Sequence, residues 1–423
     1  MAQLRDPGEP SDVFAGIDWG CSFHQLCLID AEGRTLLQQR FEHTVEGLEL
    51  LADALLSQGG TVRAAIERAE GLLVERLLAL DIELFCVSPK ISARARERYR
   101  VARTKSDTFD AFVLADTLRH EHPFWRPLRP GSETLMQLRA TIRDREALIW
   151  NQRDLENQLR ATMEAYNPAV LHLFSTLDRD ISLQFIGRYP LPAQAARVGV
   201  KRMQGFLSAE HYSGRTPAGT LVERLHPHLL SASSGTNQGK AFAAVRLAEQ
   251  LQLLNRHLKD YDAEIGRLLA LHPDTGIFTS FPGIGPVIAA TLLAGMGEDR
   301  ARYPSAPALL AEAGLAPVTR ASGRTRQVRF RYAANKRMRH AVDWWAFVAV
   351  REDPRWSGVL YEQARAAGQG HHRALRGIGA RWMRILWKCW HDGVEYNPAL
   401  HPHRWQALQA SDEAGDTVLR IAS

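Results

Sequence analysis

Short apolar runs, broken by polar turns, open the chain. VFAGID (Val13 to Asp18), QLCLID (Gln25 to Asp30) and RTLLQQRF (Arg34 to Phe41) read as three consecutive strands, with AEG at Ala31 to Gly33 as a turn. The spacing then becomes helical from Val45 to Leu56. A short strand ending in AAIE at Glu67, a leucine-rich helix, the strand ELFCV and a helix opening after KSD (Lys105 to Asp107) follow. PFWRPLRPG, Pro123 to Gly131, holds three prolines and breaks the pattern, so a domain boundary is expected there. Beyond it Leu135, Leu138, Ile142 and Ile149, then Leu155, Leu159, Met163 and Tyr166, keep one stripe apolar with a change of phase. Leu247, Leu251, Leu254, Leu258, Tyr261, Ile265 and Leu268 alternate steps of four and three, a heptad seam. The two stripes are expected to pair as a helical arm, which serves equally as a spacer between domains or as a dimer interface. The stretch between them closes on the Ser/Gly-rich SASSGTNQG and carries no functional signal. From FPGIGPVIAATLLAGMG to about Gly393 the pattern reads as mostly helical, and periodicity ends after Asn397.

The order βββαβαβα is that of the ribonuclease H-like (RuvC-like) fold, a mixed sheet with helices on its faces. The expected organisation is an α/β domain over 11–122 and a mostly α remainder. That remainder comprises an arm over 131–270 with an inserted helical region (169–239), a helical domain over 275–395 and a loosely ordered tail over 396–423. Composition changes this picture little: 423 residues, 45% hydrophobic and 24% charged, are ordinary for a globular chain. The four cysteines lack C-x-x-C spacing and read as reduced, buried thiols. No signal-peptide pattern and no membrane-length apolar run occurs, so a cytoplasmic protein is expected.

Four acids stand out. Asp18 ends the first strand before a Trp-Gly turn, Glu67 ends AAIE, and Asp107 and Asp110 stand three residues apart at a helix start. For the last two, helix capping is the plain alternative. A strand-end Asp is often only a turn residue, but a Glu emerging from an apolar strand is costly unless paired or metal-bound. A ribonuclease H-like sheet would bring all four together, and crowded carboxylates stay ionised together when a divalent cation lies between them. Oxygen-only ligands select Mg2+ or Mn2+, the ions that clamp a phosphoryl group in transfer.

The net charge of +6 is concentrated further on. Between Arg320 and His340 lie Arg320, Arg324, Arg326, Arg329, Arg331, Lys336, Arg337 and Arg339, and no acid. A solvated basic face is the plain reading, but a dense one-sign block points to a polyanion lying against it. PGIG, with Gly283 and Gly285, opens an apolar helix as a helix-hairpin-helix turn does, and such a turn holds phosphate on backbone N–H groups. Ser322, in RASGR, has small neighbours and arginines on both sides. No histidine stands near it as a base, so its activation as a nucleophile would need a metal ion.

In one order along nearly the whole chain, GIDWG, AAIE, VARTKSDTFDA, the helical arm, FPGIG, AGLAP and the Ser322–Gly323 pair resemble the DEDD transposases of the insertion-sequence one-ten family, which includes the Piv-type DNA invertases. The resemblance implies a RuvC-like domain binding Mg2+ through Asp18, Glu67, Asp107 and Asp110, and a separate domain whose Ser322 attacks double-stranded donor and target DNA covalently. It also implies a structured bridge RNA as guide, and a homo-oligomer, a dimer or a dimer of dimers, in which one subunit's serine completes another's acidic site. Such a protein would work at the nucleoid. Two other functions fit the residues: a RuvC-like structure-specific nuclease using water, and a catalytically silent nucleic-acid-binding protein whose acids are caps.

Overall fold

The computed structural model describes residues 12–58, 60–80, 82–99 and 106–400. Val101 to Lys105 of the resembling motif and positions 401–423 of the expected tail lie outside them. The chain divides into two compact units, 1–131 and 132–423.

In the first unit, β1 (Val13–Trp19), β2 (Phe23–Ile29) and β3 (Thr35–Glu42) form an antiparallel meander. α1 (Val45–Leu56) is capped by the Thr44 side chain, which accepts from the Gly47 N–H. β4 (Val62–Ile66) then pairs parallel with β1. After α2 (Leu72–Leu78), β5 (Glu83–Cys86) pairs parallel with β4, giving the order β3-β2-β1-β4-β5. This is the mixed α/β sheet expected from the pattern. α3 (Pro89–Glu97) was not expected. Ser88 caps it and Pro89 occupies its first turn, a start signal present in the sequence. α4 (Asp107–Glu121) completes the unit. Of the cysteines, Cys27 and Cys389 are buried as expected, whereas Cys21 and Cys86 are exposed, in the β1–β2 turn and at the end of the edge strand.

The sheet has two covered faces. Val13, Ala15 and Ile17 of β1 pack with α1 and α2, and Phe14 packs with Ala111, Leu114, Ala115 and Leu118 of α4. Gly16 explains how α4 lies so close: a Cβ there would sit 1.9 Å from the Ala111 carbonyl oxygen. No side chain larger than hydrogen fits.

The second unit is mostly helical. α5 (Glu133–Tyr166) runs beside a later helix, α10 (Ser234–Leu271). Between them lie α6 (Asp180–Arg188), α7 (Pro192–Ala195), α8 (Val200–Ala209) and α9 (Ala218–Leu225). The two long helices share apolar cores at both ends and polar pairs between. At one end Leu159, Met163 and Tyr166 meet Ala244, Ala248 and Leu251, with Phe185 and Phe206 of the inserted helices. At the other, Leu135, Leu138 and Ile142 meet Ile265, Leu268 and Leu269. Gln152 donates to Asn255 at 2.7 Å, and Arg145 pairs with Asp262, along the stretch between. Residues 169–239 therefore have a packing role, closing the core at one end of the helix pair.

The remaining core gathers α11 (Thr275–Thr279), α12 (Pro286–Met296), α13 (Ala306–Glu312), α14 (Lys336–Glu352), α15 (Val359–Ala366) and α16 (His371–Asp392) around Phe281, Trp345, Trp382 and Trp390. From this body comes a two-stranded hairpin, β6 (Val318–Ser322) and β7 (Thr325–Arg329). It departs from the helical expectation, because neither strand carries an apolar face: every residue after Val318 is exposed.

Candidate active site

Asp18 follows Gly16 by two positions on β1, so it lies on the sheet face that α4 covers, near the strand's carboxyl end. Glu67 immediately follows β4, the parallel neighbour of β1. Both acids thus leave the same end of adjacent strands, the end at which the first turn of α4 begins. In that turn the capping question resolves by residue. Ser106 is the cap, accepting from the Phe109 N–H at 3.3 Å, and Asp107 is exposed in the first turn, where it complements the helix dipole. Asp110, in the same first turn, is set apart by burial, being only 4% exposed.

Asp110 and Glu67 converge on Arg96 of α3. Its Nε lies 2.8 Å from Asp110 Oδ1 and its Nη2 3.3 Å from Glu67 Oε1. The buried Ser92 hydroxyl, one turn earlier on α3, also donates to Glu67. Two carboxylates this close would repel one another, and the guanidinium supplies the countercharge. Among the described residues no group of three or more His, Cys, Asp or Glu side chains stands ready to hold a metal ion. The donor chemistry is still that of a hard divalent cation: carboxylate oxygens gathered about a positive charge, which here belongs to Arg96.

Ser322 ends β6 and pairs with Thr325 across a two-residue turn, Gly323–Arg324. Gly323 has φ +53° and Arg324 is not left-handed, the II′ combination that suits a twisted hairpin. Thr325 Oγ1 donates to the Ser322 carbonyl at 2.8 Å, bracing the turn and leaving the serine hydroxyl at the exposed strand end. Arg320, Arg324, Arg326 and Arg329 project from the same ribbon, and none forms an ion pair with an acid among the described residues. The remaining cations differ. Arg331 donates to the Ala316 carbonyl, Arg339 to the Arg331 carbonyl, and the exposed Arg337 pairs with Glu146, whereas Lys336 is exposed without an ion pair among the described residues.

In the PGIG turn, Gly283 (φ +72°) is pressed on α14, where a Cβ would come 2.9 Å from the Ala349 backbone, and Trp345 donates to the Pro282 carbonyl. Packing accounts for Gly283 without a ligand. Gly285, at the start of α12, is open.

Comparison with known proteins adds to this geometry. A family model of DEDD type, described as Transposase, matches residues 15–168, and a second, described as Transposase IS116/IS110/IS902 family, matches residues 276–362. The chain is 33% identical over 390 residues to a Streptomyces coelicolor protein named as a mini-circle transposase for IS117, covering 89% of this chain and 93% of that one. The chain belongs to the IS110 family of transposases. It is also 30% identical over 404 residues to the uncharacterized 42 kDa protein of insertion element IS900 from Mycobacterium paratuberculosis, covering 92% and 98% of the two chains. A Streptomyces clavuligerus protein of insertion element IS116 is 30% identical over 395 residues. The first match spans the sheet and all four acids, and the second spans Ser322, the basic run and the PGIG turn. Two residues that the motifs do not include, Ser92 and Arg96, also contact the candidate acids of this transposase. The Ser-Pro start of α3 was the available signal for them.

Proposed function

We propose that this transposase recombines DNA at the ends of an insertion sequence through a covalent serine–DNA intermediate. The observation that carries the reading is Ser322, exposed beside the turn of a hairpin whose arginines suit phosphate and form no ion pair with an acid among the described residues. Asp18, Glu67, Asp107 and Asp110 would hold Mg2+ or Mn2+, which supplies positive charge to the phosphoryl group when bound. The Ser322 oxygen bonds to phosphorus as the bond to the leaving deoxyribose oxygen breaks. The serine proton is given up, and the leaving oxygen takes one. The phosphodiester is thereby exchanged, not hydrolysed, and a new strand end can reverse the step. Arg320, Arg324, Arg326 and Arg329 orient the phosphate. Donor and target DNA, a structured bridge RNA as guide and a homo-oligomer sharing serines and acids between subunits complete the proposal, which follows the family resemblance.

The runner-up is hydrolysis by water. It has one observation in its favour: Ser322 has no hydrogen-bonded base among the described residues. Incubating the protein with nicked and branched duplexes and Mg2+ separates the two. A protein–DNA adduct that disappears in Ser322→Ala supports exchange, and free 5′-phosphate or 3′-hydroxyl ends from Ser322→Ala at undiminished rate support water.

A further inference from the structure

A file of rings, exposed except for the half-buried Tyr361, crosses α14, α15 and α16 and takes no part in the acidic site or the hairpin. His340 and Trp344 lie 6.3 Å apart, Trp344 and Phe347 5.8 Å, Phe347 and His371 6.4 Å, and His371 and Tyr361 5.7 Å. Trp344 is 51% and Phe347 47% exposed, although Trp345 and Ala346 between them are fully buried. The helix thus presents a second, outward aromatic stripe in addition to its core stripe. The rings are fixed before any partner arrives: Trp344 Nε1 donates to His340 at 3.1 Å, and Tyr361 and His371 are hydrogen-bonded at 2.8 Å. A contiguous apolar patch of this kind is costly in water and marks a binding face.

Charge selects the occupant. Residues 318–376 hold thirteen Lys and Arg against four Asp and Glu, an excess larger than that of the whole chain. Arg339 and Arg376 flank Phe330 at 5.0 and 5.1 Å, and both lie within electrostatic reach of Asp343, as do His340 and His372. Rings and cations therefore share one neighbourhood. A second copy of the same face would be repelled, whereas a polyanion with flat apolar groups is matched in both respects. Paired bases hide their faces within the duplex stack, so only unpaired nucleotides can use the rings. We propose that His340, Trp344 and Phe347, with Arg339 and Arg376, form a stacking platform for the single-stranded DNA laid bare when strands are exchanged.

The proposal rests on the DNA reading above, and its test keeps the two apart. Fluorescence anisotropy would measure binding of the full chain to labelled twelve-nucleotide oligothymidine, to a duplex of equal length and to oligouridine, with circular dichroism checking the fold. Stacking on an aromatic ring is worth roughly tenfold in affinity per base. Trp344→Ala with Phe347→Ala should therefore weaken oligothymidine binding by about a hundredfold and leave duplex binding within about twofold, and Trp344→Phe should retain the affinity. Equal loss on duplex and single strand, or a loss confined to oligouridine, would overturn it. So would unchanged affinities accompanied by a changed sedimentation coefficient, which would make the rings a subunit interface. Wild-type protein that binds none of the three would remove the DNA reading as well.

Discussion

Asp110 is 4% exposed and held by an arginine beneath a helix, whereas Ser322 stands exposed on a ribbon with no core of its own. The acids sit where the sheet, α3 and α4 have already fixed the backbone, and a charge buried there must be neutralised before anything else can happen. The hairpin is held by its own ladder and one threonine bridge, and an isolated two-stranded ribbon is marginal in water. Folding and chemistry are therefore entangled in the acidic pocket and separable in the hairpin.

The largest expected effect breaks the pocket. Asp18→Asn, Glu67→Gln and Asp110→Asn should each lower Mg2+-dependent strand cleavage by about a thousandfold, since several kcal/mol of charge stabilisation are lost. Asp110→Ala should in addition lower the melting temperature, because it empties a buried site and leaves the Arg96 guanidinium with Glu67 alone. Ser322→Ala should melt as the wild type does, within about 0.5 kcal/mol. Equal melting losses in both regions would erase the contrast.

Arg96 sharpens it. If its guanidinium stands where a divalent cation is needed, Arg96→Gln should bind Mn2+ at least about tenfold more tightly by calorimetry, a gain of about 1.4 kcal/mol, while melting lower in chelator. An unchanged or weaker Mn2+ affinity would make Arg96 part of the working site and not a placeholder. On the hairpin, replacing Arg324 and Arg326 together by alanine should flatten the salt dependence of duplex binding by about 1.8 in log K per log salt, at about 0.9 for each phosphate contact. An unchanged slope would assign these arginines to solvent.

The effect furthest from the chemistry is on pH. Burial and the neighbouring His43 lower the pKa of His24, near the start of β2, from 6.5 to about 4. The unfolded chain then binds a proton that the folded chain refuses. Stability is full above about pH 6.5 and declines as pH falls towards 4, by up to about 3 kcal/mol for this group. Thermal melts between pH 7 and 4 should show the decline, and His24→Gln should flatten it.

The sheet was legible because β1 and β2 are short apolar runs, as a sheet covered on both faces requires, and α1 carries apolar residues at helical period, between recognisable turns. α3 was passed over although Ser88 and Pro89 announce it, since RARERYR offers no apolar stripe. The hairpin lacks any burial pattern that periodicity could detect; its clue was the Ser-Gly-Arg-Thr turn. Arg96 could be read as a basic residue, but not as the partner of two acids twenty-nine and fourteen positions away. Gly283 was read as a phosphate-binding turn, and its close approach to α14 is a tertiary fact that no local pattern carries.

In the proposed reaction Ser322, and not water, takes the scissile phosphate. The most direct measurement is to trap the reaction on a labelled insertion-sequence end, digest the protein and locate the nucleotide adduct by mass spectrometry. The expected result is a phosphodiester on the peptide containing Ser322, absent from Ser322→Ala and from Asp18→Asn, with recombination recovered when those two proteins are mixed. Cleavage and strand exchange by Ser322→Ala alone, with no adduct in the wild type, would contradict it.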